Sequence, residues 1–176
     1  MTTDYLLQRE VDQVLDLLMP DNRLVMRLLL HTGLRISDAL ELRPAQLKPH
    51  FWVTERKTGK RRQVGIPEPL LSDLRASAGE HWVFPGADPR RHRTRQAVWK
   101  DVKRAAQAAR LTQNVAPHSA RKVYAVQLLD RYGDIERVRR ALNHGGVEVT
   151  LIYAMADKRL RAKGRRRRKA TGRPKA

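Results

Sequence analysis

The sequence has 176 residues and contains no cysteine, which excludes disulfide bonds, thiolate metal sites and a cysteine nucleophile. Aromatic residues make up only 5% of the chain, and no motif for stacking RNA bases is present. No apolar run approaches the roughly 20 residues that a membrane-spanning helix needs, and residues 1–12 lack a signal-peptide pattern. These absences argue against a disulfide-rich secreted protein, an RNA-binding module and a membrane protein.

Acidic residues are also scarce, since 18 Asp and Glu face 37 Lys and Arg and leave a net charge of +19. The excess lies almost wholly in the second half of the chain. Residues 87–176 carry 25 basic and 7 acidic side chains, whereas residues 1–86 carry 12 and 11. A basic excess of this size predicts a polyanionic partner, and nucleic acid is the simplest one.

The last 19 residues, 158–176, contain 11 basic side chains and no acidic one. A like-charged segment that also contains glycine and proline cannot bury apolar surface, so we expect a disordered basic tail. The tail is expected to add electrostatic affinity for DNA. Its densest run supplies four candidate contacts: Arg165, Arg166, Arg167 and Arg168.

Apolar spacing predicts a mainly α-helical fold with one small antiparallel sheet, an α+β class. Helices are predicted over residues 9–19, 22–32, 36–42 and 68–76. From about residue 94 to 157 the chain is again predicted to be helical, with four separate apolar stripes at residues 97–109, 120–128, 135–142 and 147–155. Strands are predicted at residues 51–55 and 63–66, joined by a turn at residues 57–60, with a further short edge strand at residues 82–84.

Few side chains in this sequence are candidates for chemistry, and the first of them lie near helix ends. Arg35 follows the helix-ending Gly33. It is either a surface arginine paired with Asp38 or a charge with a function between two apolar helices. His118 and Arg121 share one face near the start of a helix, where free N–H groups favour a phosphate.

Three further candidates are individually unremarkable. Lys57 lies at the hairpin turn, where lysine is usually solvated, and His144 follows a helix end, where histidine is often a cap. Tyr153 lies nine residues after His144 in an amphipathic segment, where tyrosine is usually a core residue.

In their order along the chain, however, these residues resemble the catalytic set of the tyrosine recombinases, the phage integrase family. The matching segments are TGLRISDAL, RKTGKRRQVGIP, HSARKVYA, LNHGG and VTLIYA, and the resemblance covers about residues 5–157. It implies six catalytic residues: Arg35, Lys57, His118, Arg121, His144 and Tyr153.

The resemblance also implies a mechanism. Tyr153 would attack a DNA phosphate and form a 3′-phosphotyrosine with a free 5′-hydroxyl, while Arg35 and Arg121 grip the phosphate oxygens. His118 would act as the base, Lys57 as the acid on the leaving oxygen, and His144 would hydrogen-bond the phosphate or steady Arg121. The bond energy stays in the ester, so neither a metal ion nor another cofactor is expected.

The expected organisation is a catalytic domain at residues 1–157 followed by the tail, with no room for the N-terminal core-binding domain of typical members. The expected partner is double-stranded DNA, bound by a homo-oligomer that is a tetramer on DNA and can be a monomer when free, with DNA-bending accessory proteins as further candidates. The protein is expected in the cytoplasm of a prokaryote, or from a phage. Further DNA contacts are assigned to Lys60, Arg61, Arg62, Arg93, Arg95 and Lys122.

Three flanking positions depart from the common family pattern, namely Lys122, Asn143 and Ala154. Two other functions use similar residues. One is DNA relaxation like that of a type IB topoisomerase, and the other is a non-catalytic relative that binds DNA as an accessory factor. In the family, the segment after the nucleophile often docks on a neighbouring copy. The basic character of residues 156–176 favours DNA as the target of that segment here.

Overall fold

The structure is a computed structural model, and it describes residues 3–142. Seven α-helices, one short 3₁₀-helix and one two-stranded sheet make up this part of the chain. In chain order they are α1 (Gln8–Leu17), α2 (Pro20–Thr32), α3 (Ile36–Leu40), the 3₁₀-helix (Pro44–Gln46), β1 (His50–Thr54), β2 (Arg61–Gly65), α4 (Glu68–Ser77), α5 (Arg95–Ala108), α6 (Pro117–Tyr132) and α7 (Ile135–Leu142). The predicted mainly helical class with one small antiparallel sheet is confirmed.

Helix α2 lies at the centre of the hydrophobic core and packs against α1, α4, α5 and α6. Its Val25, Leu28 and Leu29 are at most 1% exposed. Pro20 occupies the start of this helix, where its missing N–H costs nothing. Asn22, in the first turn of the same helix, donates a hydrogen bond to the buried Asp101 at 2.8 Å. This bond ties the start of α2 to α5.

Gly33 ends α2 in the left-handed conformation, with φ of +60°. A side chain at this position would also collide with α6, because a Cβ would lie 2.2 Å from Cδ1 of Tyr124. Only glycine satisfies both demands. The turn therefore brings the segment that begins with Leu34 and Arg35 directly against α6.

The hairpin of β1 and β2 pairs Val53 with Arg62 and Phe51 with Val64. Alternate residues of both strands face the core, which gives each strand the pattern of one buried face and one exposed face. Gly59 takes a φ of +66° in the connecting turn, as the predicted turn at residues 57–60 requires. The strands begin one or two residues earlier than predicted.

One prediction about the fold is wrong. Residues 82–84 form no strand, because Val83 and Phe84 are buried as irregular backbone beside an isolated bridge between Pro85 and His92.

The first three apolar stripes predicted from residue 94 onward correspond to α5, α6 and α7. A non-helical segment separates α5 from α6, and Gly133, with φ of +65°, ends α6. The remainder of that prediction, from residue 143 onward, lies outside the described residues.

Helix α7 packs on α6 through a small apolar cluster formed by Ala125, Leu129, Val138 and Leu142. This packing fixes the end of α7, which is the last described point before His144. Within residues 3–142, no helix combines the length and the apolar content needed to cross a membrane.

Candidate active site

Arg35 lies between α2 and α3, immediately before the first helical residue of α3. Its guanidinium forms an ion pair and a hydrogen bond with Oε2 of Glu55, which is the residue after β1. The Arg35 side chain keeps 22% of its surface exposed, whereas Glu55 has none. The paired partner of Arg35 is thus a buried carboxylate twenty residues away, and the surface pair with Asp38 is not formed.

Glu55 is fully buried and is surrounded by donors. Besides Arg35, it accepts a hydrogen bond from Oγ1 of Thr58 at 3.0 Å, and Nε of Arg62 lies 3.4 Å from Oε1 of Glu55. Burial alone would raise the pKa of Glu55, but the hydrogen bond and charge of Arg35 outweigh this effect and lower it. Glu55 is therefore ionised, and two arginines share its charge.

Lys57 is exposed at the turn of the hairpin, two residues after Glu55. The start of this turn is fixed by Asp38, whose Oδ1 accepts the backbone N–H of Arg56 at 3.1 Å. Burial raises the pKa of Asp38, and the nearby charge of Glu55 adds to that shift. Asp38 thus connects the hairpin to α3 rather than neutralising Arg35.

The first turn of α6 contributes His118 and Arg121, with Pro117 at the start of the helix. Arg121 is 2% exposed, and its guanidinium donates to the carbonyl oxygens of Gly33 and Leu142. It therefore links the C-terminal end of α2 to that of α7. His118 is solvent-exposed on the same helical turn.

These charged groups act on one another although they come from three separate parts of the chain. The pKa of Arg121 is lowered to about 10, mainly by burial and then by the charges of Arg35 and Arg62. Partial desolvation lowers the pKa of His118, and the charges of Arg121, Lys122, Arg35 and Lys57 lower it further. His118 is therefore an uncharged imidazole at pH 7 within a strongly positive field.

Arg62 is placed differently from its prediction as a DNA contact. It is 8% exposed, and its guanidinium donates to the carbonyl oxygens of Thr32 at 2.9 Å and Ala141 at 2.6 Å. Burial lowers its pKa, and the charge of Glu55 opposes that shift. The three guanidinium nitrogens of Arg62 thus face two helix ends and the buried carboxylate of Glu55, which indicates an internal role.

The other predicted DNA contacts lie at different surfaces. Lys60 is exposed in the turn, and Arg61 is exposed on β2 with its guanidinium 5.3 Å from the ring centre of Trp52. Arg95 is exposed at the start of α5. Arg93 instead pairs with Asp21, and Lys122 donates to the carbonyl oxygen of Thr3.

His144, Tyr153, Asn143, Ala154 and the four tail arginines, Arg165, Arg166, Arg167 and Arg168, lie outside the described residues. Within the described part of the chain, no group of three or more His, Asp or Glu side chains is arranged to hold a metal ion.

The sequence prediction missed Glu55, and it assigned Arg62 to DNA contact and not to the interior. A signal for both was available in the strand alternation. Phe51 and Val53 face the core, so the next residue in phase is Glu55, and Val64 and Ile66 place Arg62 in the buried phase of the other strand. Two opposite charges in the buried phase of paired strands indicate an internal ion pair.

The mainly helical fold with one small antiparallel sheet is that of tyrosine recombinase catalytic domains. The phage integrase family matches residues 4–159, so this chain belongs to that family. The probable integrase/recombinase YoeC of Bacillus subtilis is 30% identical over 134 residues, which cover 73% of this chain and 74% of YoeC. Tyrosine recombinase XerD of Mycobacterium tuberculosis is 32% identical over 148 residues, which cover 76% of this chain and 47% of XerD.

Solved structures of recombinases have the same fold. The catalytic domain of bacteriophage HP1 integrase is 25% identical, with a TM-score of 0.67 over 88% of this chain and 89% of that domain. A lambda integrase tetramer bound to a Holliday junction gives a TM-score of 0.71 at 17% identity, over 86% of this chain and 48% of the integrase. The chain thus spans most of YoeC and of the HP1 catalytic domain, but about half of XerD and of lambda integrase.

Proposed function

We propose that this chain cuts and rejoins DNA at specific sites through a covalent bond between Tyr153 and a 3′-phosphate. The observation that supports the proposal most strongly is the positive field that Arg35, Lys57 and Arg121, from three separate parts of the chain, impose on the neutral His118. A phosphodiester under attack gains negative charge on its non-bridging oxygens, and a preorganised positive field stabilises that charge.

In the proposed reaction, the partly exposed Arg35 and the buried Arg121 both stabilise the phosphate. Arg35 has the more exposed side chain and is the first to meet the DNA backbone. Arg121 is held beneath it by its bonds to Gly33 and Leu142, so its guanidinium needs little reorganisation when charge develops. Tyr153 attacks phosphorus, the bond to the 5′-oxygen breaks, and the phosphodiester energy is retained in the phosphotyrosine.

Two proton transfers accompany this step. The tyrosine hydroxyl has an ordinary pKa of about 10, so it must lose its proton to a base, and the neutral imidazole of His118 is available for this at pH 7. The leaving 5′-oxygen needs a proton, and we assign its delivery to Lys57 at the exposed hairpin turn. His144 would hydrogen-bond the phosphate or steady Arg121. The reverse transfers would operate when a 5′-hydroxyl attacks the phosphotyrosine.

We further propose that the chain acts as a homo-oligomer on double-stranded DNA, as a tetramer when two sites are recombined. The lambda integrase tetramer on a Holliday junction, which has the same fold, supports this assembly. The net charge of +19 supports a contact with DNA dominated by backbone phosphates. The choice among integration, excision, inversion and resolution would depend on the DNA sites.

The proposal is tested by trapping the covalent complex. The chain is incubated with sheared DNA from its source organism and denatured in detergent, and the DNA that remains attached to protein is sequenced. A nicked duplex that carries the recovered site then serves as a suicide substrate, because the cut strand loses the fragment needed for religation. We expect an adduct that Tyr153→Phe abolishes. Tyr132→Phe, at a tyrosine on the surface of α6, is the matched control and should leave the adduct intact.

The alternatives give different results in the same experiment. Adducts at unrelated sequences, together with relaxation of supercoiled plasmid, would favour a topoisomerase-like activity. Specific binding to one sequence without a covalent adduct would favour a non-catalytic accessory factor, and would contradict the proposed function.

A further inference from the structure

We propose that Glu55 and Arg62 form a buried pair of positioning residues that connects three segments of the proposed cleavage site. This proposal rests on the proposed function. Glu55 would hold Arg35 and the Lys57 hairpin in register, and Arg62 would hold the end of α7, which leads to His144. Neither residue belongs to the six catalytic positions, and neither would touch the phosphate.

The first observation is the geometry around Glu55. Its Oε2 accepts from Arg35 and from Oγ1 of Thr58, so one carboxylate oxygen bonds both a phosphate-binding arginine and the residue next to Lys57. The backbone of Glu55 closes the same turn, because its N–H donates to Lys60 and its carbonyl accepts from Gly59 at 2.8 Å. A displacement of the turn would therefore be transmitted to Arg35.

The second observation is the geometry around Arg62. Its two terminal nitrogens donate to the last turns of α2 and α7, at Thr32 and Ala141, and its Nε faces Glu55 at 3.4 Å. Arg121 makes an equivalent bridge one residue further along each helix, to Gly33 and Leu142. The two arginines thus bind consecutive carbonyls at the same pair of helix ends.

The third observation is the balance of charge. An isolated charge at either position would be costly, because Glu55 is 0% exposed and Arg62 is 8% exposed. Well-packed apolar side chains would fill such an interior at least as stably. An ionised pair that bonds three functional segments is therefore better explained by positioning than by stability.

Substitution of Glu55 should affect the cleavage rate and not the affinity for DNA. Glu55→Gln preserves the shape of the side chain but removes the charge that holds Arg35. DNA should bind at least as tightly, because a negative charge has been removed beside the phosphate site. The cleavage rate constant should fall about 10- to 100-fold, the range that a small misplacement of a catalytic group costs. Arg62→Lys should also lower the cleavage rate constant, because lysine cannot bridge two carbonyls and a carboxylate.

The test uses the intact chain and the nicked suicide duplex, with protein in excess over DNA. The rate constant of adduct formation, the final fraction of adduct and the dissociation constant for DNA are measured separately. We expect the rate constant to fall while the final fraction and the affinity are retained. Matched controls are Glu41→Gln, which removes an exposed carboxylate paired with Arg56, and Arg75→Lys, which removes an arginine bond to the Leu47 carbonyl. Both controls should cleave at the wild-type rate.

A loss of final adduct with an unchanged rate constant would mean that the variants are only partly folded, and it would overturn the proposal. The double variant Glu55→Gln/Arg62→Met guards against a general folding failure, because it removes both charges of the buried pair together. A folded double variant that cleaves at the wild-type rate would also overturn the proposal.

A second readout separates this proposal from the proposed function. In ¹⁵N spectra of the DNA-free chain, the terminal guanidinium N–H signals of Arg35 and the Nε–H signal of Arg62 should exchange slowly with water in the wild type and faster in Glu55→Gln. Unchanged exchange at both arginines would overturn the positioning role even if the wild type forms no adduct. Absence of a Tyr153-dependent adduct in the wild type would count against the proposed function alone.

Discussion

The guanidinium of Arg121 donates a hydrogen bond to the backbone carbonyl of Gly33, two residues before Arg35. This bond joins the two arginines that we propose to bind the phosphate through one turn of backbone. The turn depends on a glycine, because Gly33 has a positive φ and lies against the ring of Tyr124. The spacing of the two arginines therefore depends on the smallest side chain in the site.

Replacing Gly33 by alanine should destabilise the protein more than the backbone conformation alone explains. Gly133 has a nearly identical φ, +65° against +60°, but a Cβ there would meet nothing within 4 Å. Gly133→Ala should cost about 1 kcal/mol, and Gly33→Ala should cost a further ~1–3 kcal/mol from the overlap with Tyr124. Denaturant unfolding of both variants measures the difference, and equal losses would show that the contact with Tyr124 is unimportant.

Replacing Arg35 or Arg121 by lysine should keep the charge but lose the paired N–H donors. We expect each substitution to lower the single-turnover cleavage rate by about 10²- to 10³-fold. Arg27→Lys is the control, because Arg27 pairs with Asp73 on the surface. If Arg35→Lys and Arg121→Lys both cleave at the wild-type rate, the proposed role of these arginines in stabilising the transition state is contradicted.

Cleavage should decline on the acid side with a midpoint below pH 6.5, the ordinary value for histidine, because the folded protein lowers the pKa of His118. The neutral base is then present from pH 7 to 8 and is lost as the pH falls through the lowered pKa. The folded state also binds this proton less tightly than the unfolded chain, so the contribution of His118 to stability falls below about pH 6.5. A pH profile of the cleavage rate measures this, with His118→Gln expected to lose the acid limb. A midpoint above 6.5 would contradict the assignment.

Deleting residues 164–176 should weaken DNA binding and reduce its dependence on salt. The deleted segment carries seven basic residues, including Arg165, Arg166, Arg167 and Arg168. Each phosphate contact that is lost should lower the slope of log K against log salt by about 0.9. Affinity titrations at several salt concentrations test this. Unchanged affinity with a loss of oligomers would show that the tail docks on a neighbouring copy instead.

The sequence predicted the helices and the hairpin because each has a local signal. Helical spacing, Gly33 and the turn at Gly59 each act within a few residues. The order of the candidate catalytic residues along the chain predicted the family. The partner of Arg35 could not be read locally, since Asp38 is three residues away and Glu55 is twenty. Arg62 was misplaced for a related reason, because in a run of basic residues only the strand phase separates the buried arginine from the exposed Arg61.

Residues 82–84 were wrongly predicted to be a strand, because an apolar pattern indicates that residues are buried but does not determine their backbone geometry. Val83 and Phe84 are buried as a strand would bury them, but they pair with no neighbouring strand. Hydrogen-bond partners are supplied by distant parts of the chain, such as the Leu42 carbonyl that accepts from Val83 at 3.0 Å. Sequence spacing alone cannot identify such partners.

Mass spectrometry of the trapped complex locates the proposed covalent bond between DNA and Tyr153. After nuclease and trypsin digestion, the peptide of residues 141–158 contains Tyr153 as its only tyrosine. Our account predicts that this peptide carries a nucleotide joined through its 3′-phosphate. A nucleotide on the peptide that contains Tyr124 or Tyr132, or linkage through a 5′-phosphate, would contradict the account.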